Sequence, residues 1–267
     1  MEPIRVIVQG ALGRMGTEVI KALTAEAATE CVGAVDLKAE ADSLTKPGSR
    51  ETIPLSADLE VIITSTRPDV LVDFSLAAAV MPTVRTASRH GVNLVIGTTG
   101  LSASDTAEME CLAAEHGVGM VVAPNFSLGA VVMMYLAKIA GRYFDSAEII
   151  ELHHHNKQDA PSGTSRATAL GMAEARGRDF ELPPSRHDYP SRGEQISGIS
   201  LHSVRLPGLL AHQEVILGGP GETLTIRHDT SGRDCYMPGV IMAVKKVVGQ
   251  PGFIYGLDAL LGLRVEE

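Results

Sequence analysis

Hydrophobic residues in the first half of the chain fall into short branched runs, separated by longer stretches whose apolar positions recur at helical spacing. The runs are residues 4–9, 31–35, 70–75, 93–100 and 119–125, and the last three end in small polar residues. Between them, residues 77–90 and 103–116 carry the repeat of amphipathic helices. Strands that alternate with helices predict a parallel sheet with crossover helices. Residues 38–54, polar and interrupted by Pro and Gly, read as an irregular excursion.

From Phe126 the pattern changes. A helix is expected over 128–142, a branched strand over 147–152 and a second helix over 165–176, with Gly171 as its first breaker. Alternating stretches at 196–206, 211–217 and 223–228 are divided by Pro207-Gly208 and Gly218-Gly219-Pro220-Gly221, which predicts a mostly antiparallel sheet. Residues 238–248 and 257–263 read as helices that return to the first domain. The expected class is α/β: a Rossmann-like parallel sheet with crossover helices over 1–126 and 236–267, plus a second α+β domain with a mixed, mostly antiparallel sheet over 127–235.

The first strand leads at once into Gly10-Ala11-Leu12-Gly13-Arg14-Met15-Gly16, which opens a helix expected from Thr17 to about Ala27. The second strand ends in Asp36, about twenty residues past the last glycine, where a ribose-binding acid belongs in a dinucleotide-binding unit. Side chains in the loop would keep backbone N–H groups from a pyrophosphate at the helix N-terminus. Leu12 and Met15 stand where the usual spacing has its second and third glycines, so the loop is a Gly-x-x-Gly-x-x-Gly variant. Ligands of parallel sheets bind beyond the carboxyl ends of the strands. Phe74, Thr98, Thr99 and Asn125 are therefore expected to line one cleft with the loop.

A second concentration of chemistry lies at Glu151-Leu152-His153-His154-His155-Asn156-Lys157-Gln158-Asp159-Ala160-Pro161-Ser162-Gly163-Thr164-Ser165. It follows a strand and precedes a helix, the place where a fold presents groups to a ligand. On a continuing strand His153 and His155 would face one way and His154 the other. His153, His155 and Asp159 could serve a zinc ion, but Lys157 would put a cation beside it, and no metal is expected. Imidazole and amine can both donate protons near neutrality and attract carboxylates. The Asp159–Thr164 turn adds backbone N–H groups at a helix start, with Ser162 or Thr164 as cap.

Composition narrows the setting. With 267 residues, 45% of them hydrophobic, the chain can bury one large or two smaller cores. No apolar run approaches the roughly 18 residues of a membrane span, and Met1-Glu2-Pro3 passes into a strand without a signal core, which reads as a cytoplasmic protein. Cys31, Cys111 and Cys235 have no metal-like spacing and read as reduced core thiols. A net charge of −9, no Trp and no basic block argue against nucleic acid. An anionic substrate would need a local basic pocket to overcome that field.

Gly10 to Gly16, Gly97-Thr98-Thr99, Ala123-Pro124-Asn125-Phe126 and Glu151 to Ser165 resemble, in order over nearly the whole chain, the dihydrodipicolinate reductase (4-hydroxy-tetrahydrodipicolinate reductase) family. The resemblance implies reduction of a cyclic dicarboxylate with NADH or NADPH in diaminopimelate and lysine synthesis, and a homotetramer formed through the second domain's sheet. It implies His153 as proton donor or acceptor and Lys157 as second proton donor. His154, Ser162, Gly163 and Thr164 would hold the substrate. Gly10, Ala11, Leu12, Gly13, Arg14, Met15, Asp36, Lys38, Phe74, Gly97, Thr98, Thr99, Ala123, Pro124, Asn125 and Phe126 would hold the dinucleotide. Family members that use NADPH often carry Arg after the ribose acid, whereas Leu37 and then Lys38 stand here. Asp36 favours a free 2′-hydroxyl, while Lys38 or Arg14 could still reach a 2′-phosphate. Two other readings are a two-domain dehydrogenase acting on an acyclic amino acid, and a nicotinamide-binding redox sensor without turnover.

Overall fold

The computed structural model describes residues 2–182 and 190–263. In chain order the first elements are β1 (Ile4–Gln9), α1 (Arg14–Ala25), β2 (Thr29–Val35), β3 (Ser43–Thr45), β4 (Thr52–Ser56), α2 (Leu59–Thr66), β5 (Val70–Asp73), α3 (Ala77–Arg89), β6 (Asn93–Ile96), α4 (Ala103–His116) and β7 (Gly119–Val122). Then follow α5 (Leu128–Gly141), β8 (Ser146–His153), α6 (Gly163–Arg176), β9 (Glu194–Ile196), β10 (Ile199–Arg205), β11 (Ala211–Gly219) and β12 (Glu222–Thr230). The last are α7 (Met237–Val247), β13 (Gly252–Tyr255) and α8 (Leu257–Leu261).

Two compact units result: one runs to Ser127 and resumes over Tyr236–Leu261, the other spans Leu128–Cys235, with Gly262 and Leu263 grouped with it. The expected boundaries, 126/127 and 236–267, thus differ by one residue at the first junction and, at the end of the chain, by Gly262 and Leu263; residues 264–267 lie outside the described residues. In the first unit the strand order is β13-β7-β6-β5-β1-β2-β4-β3. Every pairing is parallel except β3 with β4. Val6, Ile7, Val8, Val70, Leu71, Val72 and Leu94–Ile96 are fully buried, as strands covered by helices on both faces must be. The core gathers Ile7, Leu71, Leu94 and Ile96 against Ile62, Val80, Val84 and Met109 from α2, α3 and α4.

Local signals explain the helix ends. At α4, Ser102 and Asp105 form a reciprocal capping box. At α6, the Ser162 side chain accepts from the Ser165 N–H. In the second unit the order is β12-β11-β8-β10-β9, with β8 and β10 parallel and the other pairs antiparallel. Helices α5 and α6 cover one face, where Met133, Ala137, Ala169 and Met172 meet Ala147, Ile149, Leu201, Val215 and Leu217.

Four expectations need correction. The 38–54 excursion holds β3 and the start of β4, the latter paired to β2 through Ala34↔Leu55 and Val35↔Ser56. Helix α1 begins at Arg14, not Thr17, because the glycine turn is complete at Gly13, its N-cap. Gly171 does not break α6; it lets the Lys138 side chain of α5 lie against the helix, where a Cβ would meet Lys138 Cε at 2.5 Å. Helix α2 and strand β13 were not expected. Among the cysteines, Cys31 is buried, and burial pushes its thiol up to about 11, but Cys111 is exposed. Among the described residues no helix is long and apolar enough to cross a membrane.

The glycine loop packs its backbone directly against the start of α1. Gly10 has φ +77°, and a Cβ on Gly16 would stand 2.2 Å from the Gly10 carbonyl oxygen. Gly16→Ala must therefore displace either the loop or α1. The expected loss is roughly 2–3 kcal/mol of stability, read as a lowered Tm by circular dichroism; an unchanged Tm would mean that the loop yields freely.

Candidate active site

The cofactor-type residues gather at the carboxyl ends of the parallel strands. Gly10 and Ala11 donate their N–H groups to the Val35 carbonyl, and Gly13 donates to Gly10. Helix α1 then starts with no side-chain cap and no acid in its first turn. An uncapped helix start of this kind leaves N–H groups and a positive dipole end for an anion, so the loop fits a pyrophosphate. Asp36 lies beside it: its Oδ2 accepts from Leu12 N–H at 3.0 Å and its Oδ1 from Lys38 N–H at 2.9 Å. Each oxygen keeps a lone pair for a ribose hydroxyl. Leu37, Lys38 and Arg14 are exposed.

Phe74 and Phe126 stack at a tilt, ring centroids 5.8 Å apart, at the ends of β5 and β7. The Phe74 ring covers Gly97, where a Cβ would stand 2.2 Å from its Cε1. Thr98 turns inward: its hydroxyl donates to Asp73 Oδ1 at 2.8 Å, an oxygen that also receives the Ser75 N–H and hydroxyl. Burial raises the Asp73 pKa above its ordinary value against these hydrogen bonds. The Thr98 hydroxyl thus holds neighbouring strand ends together, while Thr99 and Pro124 are exposed and Ala123 is buried. Asn125 Oδ1 accepts from Ser127 N–H at 2.9 Å, shaping the turn into α5.

In the second unit β8 alternates, with Ala147, Ile149 and Glu151 buried. Glu151 is a carboxylate at a core position, fully buried. Arg205, at the end of β10, meets it with two bonds, Nη1 to Oε2 at 2.8 Å and Nη2 to Oε1 at 2.7 Å. Ser162 N–H reaches Oε1 at 3.2 Å, and His153 Nδ1 lies 2.5 Å from Oε2. Burial pushes the Glu151 pKa up, but hydrogen bonds from His153, Arg205 and Ser203 outweigh it and hold the group at about 2.

The strand ends at His153, so the face alternation expected through His155 stops there. His154 N–H bonds the Leu210 carbonyl at 3.4 Å, and Lys157 N–H bonds the His154 carbonyl at 3.1 Å. His155 is exposed. Lys157 Nζ pairs with Asp159 Oδ1 at 2.7 Å, which draws the Asp159 pKa below its ordinary value. Arg205 Nη2 also donates to the Asp159 carbonyl at 2.6 Å. Ser162 is buried, with its hydroxyl spent on the α6 cap. Gly163 stands in open space and opens the helix with Thr164, and both N–H groups lie in the first turn, where no intrahelical acceptor exists. Among the described residues no three His, Cys, Asp or Glu side chains converge as a metal site.

Arg205 had no signal in the residues, because only strand pairing brings it to β8. Glu151 had one: it continues the stripe of Ala147 and Ile149, and a carboxylate in phase with a core stripe requires a cation.

The first unit, with its parallel sheet, glycine turn and uncapped helix start, is a dinucleotide-binding fold; the class is the nicotinamide-dependent oxidoreductases. Within that class the chain belongs to the dihydrodipicolinate reductase family. Residues 4–126 match the family model for "Dihydrodipicolinate reductase, N-terminus", and residues 129–261 match that for "Dihydrodipicolinate reductase, C-terminus". The chain is 53% identical to the 4-hydroxy-tetrahydrodipicolinate reductase of Dehalococcoides mccartyi (strain CBDB1), over 98% of this chain and 100% of that one. It is 47% identical to the Moorella thermoacetica (strain ATCC 39073 / JCM 9320) enzyme of the same name, over 97% and 98%. The solved dipicolinate-bound dihydrodipicolinate reductase from Paenisporosarcina sp. TG-14 superposes with a TM-score of 0.85 at 38% identity, covering 96% of this chain and 99% of that one. An amine dehydrogenase from Mycobacterium smegmatis (TM-score 0.70, 16% identity, 98% and 97% covered) shares the fold alone. The family's members are NADH- or NADPH-dependent reductases of diaminopimelate and lysine biosynthesis.

The Glu151 network makes the second unit acid-sensitive. A carboxyl that falls from 4.5 unfolded to about 2 folded stabilises the fold fully above pH 4.5. That contribution, on the order of 3 kcal/mol, is lost as pH falls through about 2. Melting temperatures taken between pH 5 and pH 2 are expected to fall more steeply for the wild type than for E151Q/R205M; equal slopes would contradict the assignment.

Proposed function

We propose that the chain reduces 4-hydroxy-tetrahydrodipicolinate to tetrahydrodipicolinate with loss of water, in the cytoplasm. The observation that carries the reading is a pair of proton donors four residues apart, His153 and Lys157, each held by a carboxylate beside the open helix start at Gly163 and Thr164. The family's activity supports it.

The residues divide the work. Gly163 and Thr164 receive one substrate carboxylate on their backbone N–H groups, and His154 approaches the acid with its ring. Ser162 contributes by capping the helix that holds those donors. Loss of the hydroxyl together with a proton from the neighbouring ring carbon releases water and leaves a conjugated imine, and Lys157 and His153 supply the proton needed as negative charge develops on the ring that has taken up hydride. The bound nicotinamide supplies the hydride. Gly10 to Met15 cradle its pyrophosphate and Asp36 its adenosine ribose, with Lys38 and Arg14 as exposed cations for a 2′-phosphate. Phe74, Gly97 to Thr99 and Ala123 to Phe126 border the rest of the dinucleotide.

A homotetramer formed through the second unit's sheet is the assembly supported best. Among the described residues, helices cover one face of that sheet and not the other. On the other, half-buried Ile150, Leu152, Val204 and Ile216 lie among charged side chains of β8, β11 and β12.

Oxidation of NADH or NADPH is to be followed at 340 nm, with the unstable substrate generated in place from aspartate semialdehyde and pyruvate. Rapid oxidation is expected, and the kcat/KM ratio of the two cofactors reads what Asp36, Leu37 and Lys38 select. Lys157→Ala is expected to lower kcat by about 10²–10⁴ with NADH binding unchanged. Near-normal turnover would remove Lys157 from the mechanism, and cofactor binding without oxidation would point to the sensor. In light scattering after gel filtration, four times the 28.2 kDa chain mass is expected; a monomer would refute the tetramer.

A further inference from the structure

We propose that Glu151, gripped by Arg205, is the positioning residue of His153: its carboxylate fixes the ring so that Nδ1 keeps a proton and Nε2 works on the substrate. The inference rests on the reading of His153 as a proton donor.

The geometry separates this from an ordinary core ion pair. The carboxylate is surrounded by donors: Arg205 Nη1 and His153 Nδ1 lie on Oε2, Arg205 Nη2 and Ser162 N–H on Oε1, and the Ser203 side chain adds a further hydrogen bond. Glu151 is fully buried, so water cannot replace any of them. An acceptor-only partner 2.5 Å from Nδ1 requires a proton on Nδ1. Nε2 is then the nitrogen left to exchange protons. When it carries one, the imidazolium faces a fixed negative charge. When that proton passes to the substrate, the ring relaxes to the neutral form with the Nδ1 proton still in place, and Nε2 is reprotonated from solvent.

The same carboxylate receives the Ser162 N–H at the head of α6, and Arg205 binds the carbonyl of Asp159, the partner of Lys157. Glu151 therefore aligns His153 with the α6 anion host, and Arg205 ties Glu151 to the segment that carries Lys157. Glu151 touches no reacting atom, so its effect must appear in kcat and in the pH profile, not chiefly in KM.

The test compares E151Q/R205M, which removes both buried charges together and so leaves neither stranded, with wild type and with His153→Ala. The double variant is expected to melt cooperatively and to keep KM within a few-fold, while kcat falls at least about 10²-fold, as when an imidazole loses its orienting carboxylate, and the pH profile of kcat/KM moves. A folded double variant with wild-type kcat and an unmoved profile would overturn the proposal. If His153→Ala itself keeps full turnover, the reading of His153 as proton donor fails, and the inference with it. A measurement that needs no variant at Glu151 is 15N NMR of histidine-labelled wild type, with His153 assigned by its absence from His153→Ala. A proton on Nδ1 is expected; a neutral ring protonated on Nε2 instead would refute the proposal.

Discussion

A carboxylate cannot remain charged in a protein core without partners, and the second unit is organised around one that does. Glu151 occupies a core position on the central strand of its sheet, where removing a partner from a buried pair costs about 3–5 kcal/mol. Its requirement for donors recruits Arg205 from β10, the Ser162 amide from α6 and the ring of His153 from β8 itself. Meeting that requirement brings a strand end, a helix start and an imidazole into one place. The fold and the site thus share a single constraint.

Much of this was legible in the residues, for reasons that differ by element. The nucleotide-type unit declares itself because β1, the glycine turn, α1 and Asp36 are consecutive in sequence, and their roles depend on backbone geometry that only certain residues permit. The 151–165 block is legible because its acids, bases and helix cap are local. Strands β3 and β4 were hidden: three and five residues long, with Pro54 in the second, they carry too little periodicity to stand out, and they exist because β4 pairs with β2 and β3 with β4. Strand β13 was masked by Gly249 and by Pro251-Gly252 beside it, and is held as the edge partner of β7. Arg205 lies 54 positions from Glu151, and only the parallel register that sets Arg205 opposite His153 brings them together.

The electrostatic demands of the two halves of the chemistry are met by different means. On the dinucleotide side the donors are mostly backbone: the first turn of α1 and a loop that no side chain can enter. Asp36, whose oxygens already accept from Leu12 and Lys38, braces that loop while keeping capacity for hydroxyl groups. In the candidate site of the second unit the donors are side chains and the first turn of α6. A net charge of −9 works against an anion at long range, but at about 0.15 M salt such fields fade over about 8 Å. Local donors therefore decide the outcome.

The two ion pairs of the candidate site differ in how firmly they are held. The Glu151 side chain is 0% exposed and that of Arg205 18%; the pair is held by two bonds on each side and is too costly to open during turnover. The Asp159 side chain is 58% exposed and that of Lys157 22%, and a pair so open to water is worth only about 0–1 kcal/mol. On the proposed reading, a substrate carboxylate that draws Lys157 from Asp159 does so at little cost, with the charge of the amine balanced before and after. The candidate site therefore joins a buried pair that holds the His153 ring through Glu151 to an exposed pair at Lys157, and the proposed chemistry needs just that division: an imidazole kept in place and an amine whose partner can be exchanged.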